Sequence, residues 1–160
     1  MTDWYVIEGI NPVPWTAASF GSGRAYKSGL LTAYQSALAE EMRYRYPDAP
    51  CEPGIIELRF MFWRRLEKTY KGHNQVADAT NLQKSAEDAL QGVLYDNDQK
   101  VIHVSSWVVR QDKETEPRIA VCVRRLDPSD IPALDSITTI TPAEKQVSDN
   151  QHDQNPEEVF

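Results

Sequence analysis

Between positions 78 and 101 the chain reads DATNLQKSAEDALQGVLYDNDQKV. Asp78 stands before a helix-like run, Lys84 falls one turn inside it, and Asp98 follows it in an acidic turn. Two carboxylates and an ammonium group are what phosphodiester cleavage asks for, because an anionic nucleophile must approach a group that is already anionic. A divalent ion on carboxylate oxygens activates water and absorbs charge on the leaving oxygen. Mg²⁺ needs only a few acids, since water and the substrate phosphate complete its shell. A lysine, a compact cation on a flexible stem, can meet the scissile phosphate or the developing charge. Asp78, Lys84 and Asp98 are therefore the expected catalytic set, with Asp78 and Asp98 as the first two metal ligands.

Those groups have to be carried by a helix and a sheet. Leu82, Ala86, Ala89, Leu90 and Val93 recur at helical spacing and form one narrow apolar stripe, which leaves Asn81, Lys84 and Asp88 on the other side. Thr80 is the expected N-cap and Gly92 the expected exit. Asp78 and Asp98 are 20 residues apart, so they converge only if the helix lies back along a sheet.

The same residues carry a resemblance. Asp78-Ala79-Thr80-Asn81-Leu82-Gln83-Lys84, then Asp88-Ala89-Leu90 with Gly92, then Asn97-Asp98-Gln99-Lys100-Val101 resemble, in order and spacing, the signature of the RusA family of Holliday-junction resolvases: D-x-D-N-L-x-K, D-A-L-x-G and D-D-x-Q-V. Outside this block the match is one of outline. The resemblance implies a structure-selective endonuclease that uses Mg²⁺ or Mn²⁺, acts on branched DNA such as a four-way junction, and works as a homodimer. Paired nicks in symmetry-related strands call for two sites. Members of the family are common in phages and prophages, which suggests a role in phage recombination.

Thr80 stands where the family has its second aspartate, and Asn97 stands for the first acid of the last piece. Losing a carboxylate at position 80 should weaken metal binding unless Asp96 or Asp88 substitutes, or the Thr80 hydroxyl or a bridging water completes the shell. Asp88 has a second option, pairing with Lys84 four residues earlier. The rival expectation is a junction-binding protein that keeps the fold and has lost cleavage through Thr80. A calcium-binding EF-hand at Asp96–Asp98 is a poor alternative, because Val101 and Trp107 occupy the positions that need glycine and glutamate.

The rest of the chain reads as a mixed α/β domain of about four strands and two main helices, spanning 1–126. Trp4–Gly9 is a strand, and the proline-containing 11–15 a loop. The glycine-containing 16–27 is a loop that lacks the G-K-[ST] of a nucleotide-binding P-loop. Ser28 caps an amphipathic helix that ends at Pro47, and 54–63 forms a central buried strand. Residues 101–110 and 118–125 are expected to pair as an antiparallel hairpin. Arg64, Arg65, Lys68 and Lys71 precede Asp78 in sequence and are expected to hold DNA phosphates together with Asn81 and Lys100.

The formal charge of -7 belongs wholly to the end of the chain. Residues 1–126 hold sixteen bases and sixteen acids, whereas 127–160 set Lys145 alone against eight acids. That composition cannot bury enough apolar surface to offset ordering, so 127–160 is expected to be disordered. Its terminal Glu157-Glu158-Val159-Phe160 faintly resembles the partner-recruiting end of bacterial single-strand-binding proteins. Cys51 and Cys122 lack metal-type spacing and read as reduced thiols. With no apolar run near ~18 residues and no signal-like N-terminus, a cytoplasmic setting is expected, in a bacterial or phage-infected cell, with no membrane partner.

Overall fold

The computed structural model describes residues 4–16, 19–21, 24–26, 28–67 and 76–132. Lys68, Lys71 and the tail from 133 onward lie outside the described residues.

The sheet is built around its most apolar strand, β4 (Ile56–Arg65). Ile56, Leu58, Phe60 and Phe62 alternate onto one face and are fully buried there, as a period of two requires. β1 (Tyr5–Glu8), β5 (Val101–Asp112) and β6 (Arg118–Arg125) complete a four-stranded sheet in the order β1-β6-β4-β5. β6 runs antiparallel to both β1 and β4, whereas β5 runs parallel to β4. Residues 16–27, expected as loop, contain a small antiparallel ribbon of β2 (Ser19–Gly21) and β3 (Arg24–Tyr26).

The expected β5–β6 hairpin is not formed. β4 lies between the two strands and pairs with each, so Trp63 has Arg110 on one side and Arg118 on the other. Residues 113–117 step across the end of β4 instead of folding β6 back onto β5. Two inter-strand spacings come to about 9.5 Å, which five residues span easily. The step is tied to β4, where the Leu66 N–H donates to the Asp112 carbonyl at 2.9 Å and Arg65 Nε to the Thr115 carbonyl at 2.9 Å.

Two helices cover the core face of the sheet. α1 (Gly29–Arg45) begins at Ser28, whose hydroxyl accepts from the Leu31 N–H at 3.2 Å, and buries Leu31, Tyr34, Leu38 and Met42. α2 (Ala79–Leu90) buries Leu82, Ala86, Ala89 and Leu90 against the same core. It is the crossover that parallel β4 and β5 require. Tyr46 fastens the end of α1 to β1, its hydroxyl accepting from the Val6 N–H and donating to the Val6 carbonyl.

The opposite face carries Glu57, Arg59, Met61 and Trp63 of β4, with His103 and Trp107 of β5 beside them. Glu57 is nonetheless buried. Arg59, Arg124 and His103 hydrogen-bond to its carboxylate at 3.0, 2.8 and 2.8 Å. Burial by itself would raise its pKa, but the three hydrogen bonds outweigh that and hold the carboxyl at about 2. The cluster fastens β5, β4 and β6 together. Among the described residues no helix is long and apolar enough to cross a membrane.

Candidate functional site

The first turn of α2 is set by Asp78 and not by Thr80. Asp78 has extended backbone angles, and its carboxylate accepts from the Asn81 N–H at 2.7 Å and from Asn81 Nδ2 at 3.0 Å. Ala79 and Thr80 already lie inside the helix, and an aspartate three residues before a free N–H is as good a cap as the chain offers. The Thr80 side chain is thereby left exposed. At the other end Gly92 adopts φ +75, so the expected exit is where the sequence puts it.

Positions 80, 84, 87, 88 and 91 follow one another along one side of α2, as residues three and four apart must. They face the start of β5 across a cleft of about 390 Å³. Thr80, Lys84, Glu87, Asp88 and Asp98 all line it, with Tyr95 and Val104 on the far wall. Asp98 reaches it from a short 3-10 turn, Asp98–Lys100, capped by the Asn97 side chain, which accepts from the Gln99 N–H at 3.0 Å. The parallel crossover thus gathers, in one depression, positions contributed by all three motif pieces.

Asp78 opens elsewhere. It lines a neighbouring groove of about 730 Å³ with Asn81, Trp15, Arg64 and Arg65. Both arginines are fastened to the protein. Arg64 donates to the Pro12 carbonyl at 3.0 Å and to Gln111 Oε1 at 2.8 Å. Arg65 pairs with Glu116 at 2.7 Å. Asp96 and Lys100 pair with each other at 2.6 Å, and Lys100 also donates to the Pro53 carbonyl. The Lys100 hydrogen bond depresses the Asp96 carboxyl below its ordinary pKa. Asp88 Oδ2 accepts from Gln35 Nε2 at 3.3 Å, joining α2 to α1.

Glu87 and Tyr95 were not singled out by the sequence. Burial pushes the Glu87 carboxyl up, and a hydrogen bond from Gln83 opposes it. The charges of Asp88 and Asp98 push it further up, and Lys84 pulls it down. Tyr95 is buried and donates to the Glu87 carbonyl at 2.7 Å. Burial raises its pKa first, then the charges of Glu87, Asp88 and Asp98. The signal available beforehand was the helical offset of Glu87 from Lys84, three residues on, which gives both the same face.

Among the described residues no group of three His, Cys, Asp or Glu side chains is placed to hold a metal ion. The donors in the cleft nevertheless suit a hard cation. Glu87 and Asp98 are close enough for their charges to interact, the Thr80 hydroxyl lies on the same cleft, and Mg²⁺ is commonly held by one or two carboxylates plus water and phosphate.

The family model described as Endodeoxyribonuclease RusA matches residues 10–124. That span runs from the loop after β1 almost to the end of β6 and contains both α2 and the cleft. A comparison with curated proteins gives no match.

Proposed function

The chain belongs to the RusA family of endodeoxyribonucleases, and from that premise we propose that it nicks branched DNA, a four-way junction above all, at the cleft between α2 and β5 with the help of Mg²⁺ or Mn²⁺. The observation that carries this reading is the meeting of Thr80, Lys84, Asp88 and Asp98, drawn from separate motif pieces, on one cleft.

Each residue has a task that its surroundings support. Asp98 and Glu87 would hold the ion, with the Thr80 hydroxyl as a further oxygen donor. A bound divalent ion supplies Lewis-acid stabilisation of the charge that builds on the phosphate and activation of the attacking water. Lys84 brings an ammonium group to the anionic phosphate, where a fixed cation favours the more highly charged transition state. Asp78 caps α2 and so fixes the turn that presents Thr80 and Lys84. Tyr95 lines the far wall of the cleft, and its hydroxyl, donating to the Glu87 carbonyl, steadies the backbone that carries Glu87. Two such sites in a homodimer would deliver the paired nicks that junction resolution needs. A cytoplasmic setting, in a bacterial or phage-infected cell, is part of the same proposal.

The test is nicking of a labelled synthetic four-way junction by the full chain in millimolar Mg²⁺ or Mn²⁺. Asp98→Asn should abolish nicking while junction binding is kept. A specific observation favours the second reading, binding without cleavage: both oxygens of Asp78 are engaged by Asn81, and Thr80 brings no charge. Tight junction binding by the wild type with no nicking in either metal would select it.

A further inference from the structure

Resting on the nuclease reading above, we propose that Trp15 is a positioning residue for the reaction, holding the Lys84 ammonium group where the cleft that Lys84 lines meets the neighbouring groove that Trp15 lines. Lys84 Nζ lies 3.9 Å from the centroid of the Trp15 ring, well inside the ~6 Å over which the face of an aromatic ring attracts a cation.

The ring is a fixed platform. Trp15 is half-buried against the core, and its backbone N–H donates to the Asn81 carbonyl at 2.9 Å. Two residues earlier, the Val13 carbonyl accepts from the Ser85 hydroxyl at 2.6 Å. Asn81 and Ser85 flank Lys84 on α2, so the 13–15 segment is stitched to the helix on both sides of the lysine. The indole therefore keeps its place relative to the very turn that carries the ammonium group.

A ring is also suited to this place by what it lacks. Glu87, Asp88 and Asp98 line the same cleft, and a lysine on a flexible four-carbon stem would be drawn onto them and neutralised. The face of an indole attracts the ammonium group through its quadrupole and brings no counter-charge. Lys84 is held, yet its full positive charge stays available to a phosphate.

The test compares the full chain with Trp15→Leu and Trp15→Phe in single-turnover nicking of a labelled four-way junction in Mn²⁺. In parallel, ¹H–¹³C spectra are recorded on protein carrying ¹³C at lysine Cε, the Lys84 signal being assigned by its loss in Lys84→Arg. In the wild type the Lys84 ε-protons should lie upfield of the other lysines through the ring current. The shift should vanish in Trp15→Leu and persist in part in Trp15→Phe. Nicking of bound junction should slow by about two- to fivefold in Trp15→Leu, the size of an exposed cation–π contact. Trp15→Phe should recover part of that loss, with junction affinity unchanged in both. The ring-current shift reports the contact itself, and slower nicking of bound junction at unchanged affinity is the result that a merely structural role would not produce. Should Trp15→Leu fold poorly, the wild-type spectrum and Trp15→Phe decide. An unshifted Lys84 signal, or a Trp15→Leu protein that nicks as fast as the wild type, overturns the inference alone. A wild type that nicks nothing overturns the nuclease reading and takes this inference with it.

Discussion

Replacing Glu57 by Gln should destabilise the protein at neutral pH and stop doing so in acid. The carboxyl sits near pH 2 in the folded protein against an ordinary value of 4.5. Its folded pKa is depressed, so its contribution is fully present above about pH 4.5 and is lost as pH falls towards 2. Taken at face value, the shift is worth about 3 kcal/mol at ~1.4 kcal/mol per pKa unit. The partners reduce this. Arg59, Arg124 and His103 are 36, 40 and 61 % exposed, so solvent screens each interaction. We expect about 2 kcal/mol at pH 7, in the range of hydrogen bonds to charged groups. Urea unfolding of wild type and Glu57→Gln at about pH 7, 5 and 3 reads the difference directly. The gap should persist at the two higher pH values and fall to less than half at the lowest, because a protonated Glu57 resembles the glutamine that replaces it. No gap at pH 7, or one that persists undiminished at pH 3, would refute the reasoning. Because the cluster spans β5, β4 and β6, Glu57→Gln should also loosen the β5 wall of the cleft.

Three further outcomes follow from the site. Glu87→Gln should weaken Mn²⁺ binding, followed by electron paramagnetic resonance, by about tenfold or more. Because the Glu87 carboxyl is raised in the folded protein, its ionisation opposes folding at neutral pH, so the same variant should melt higher in EDTA. Thr80→Asp adds a carboxylate to the cleft and should strengthen Mn²⁺ binding, read by titration. Asp78→Ala removes the cap of α2 and should cost about 1 kcal/mol in urea unfolding, whereas Asp78→Ser should keep most of it. If Asp78→Ser retains nicking as well as stability, capping is the role of this side chain in the reaction.

Much of the frame was legible in the residues. The stripe of Leu82, Ala86, Ala89 and Leu90 faces the core as its period says. Ser28 caps α1, Gly92 closes α2, and β4 is the buried central strand. These features depend on periodicity and on backbone preference, which act within a few residues of one another. The family resemblance likewise rested on local spacing, and residues 10–124 match that family.

What the chain order could not convey was which segments become neighbours. Alternation tells which face of a strand is buried but is silent on its partner, so β5 and β6 looked like a hairpin although β4 separates them. Thr80 and Asp78 are both good caps by type, and only the folded backbone chose Asp78, turning it to Asn81 and leaving Thr80 to the cleft. Nothing near Glu57 in the sequence announces its partner Arg124, 67 residues on. The pairing of Trp15 with Lys84 is of the same kind, a contact between distant segments made when a loop is laid along a helix. Local sequence determined the helix, its caps and the chemical types it displays. Which of those groups share a cleft was decided by the parallel crossover, since packing and strand order depend on the whole chain at once.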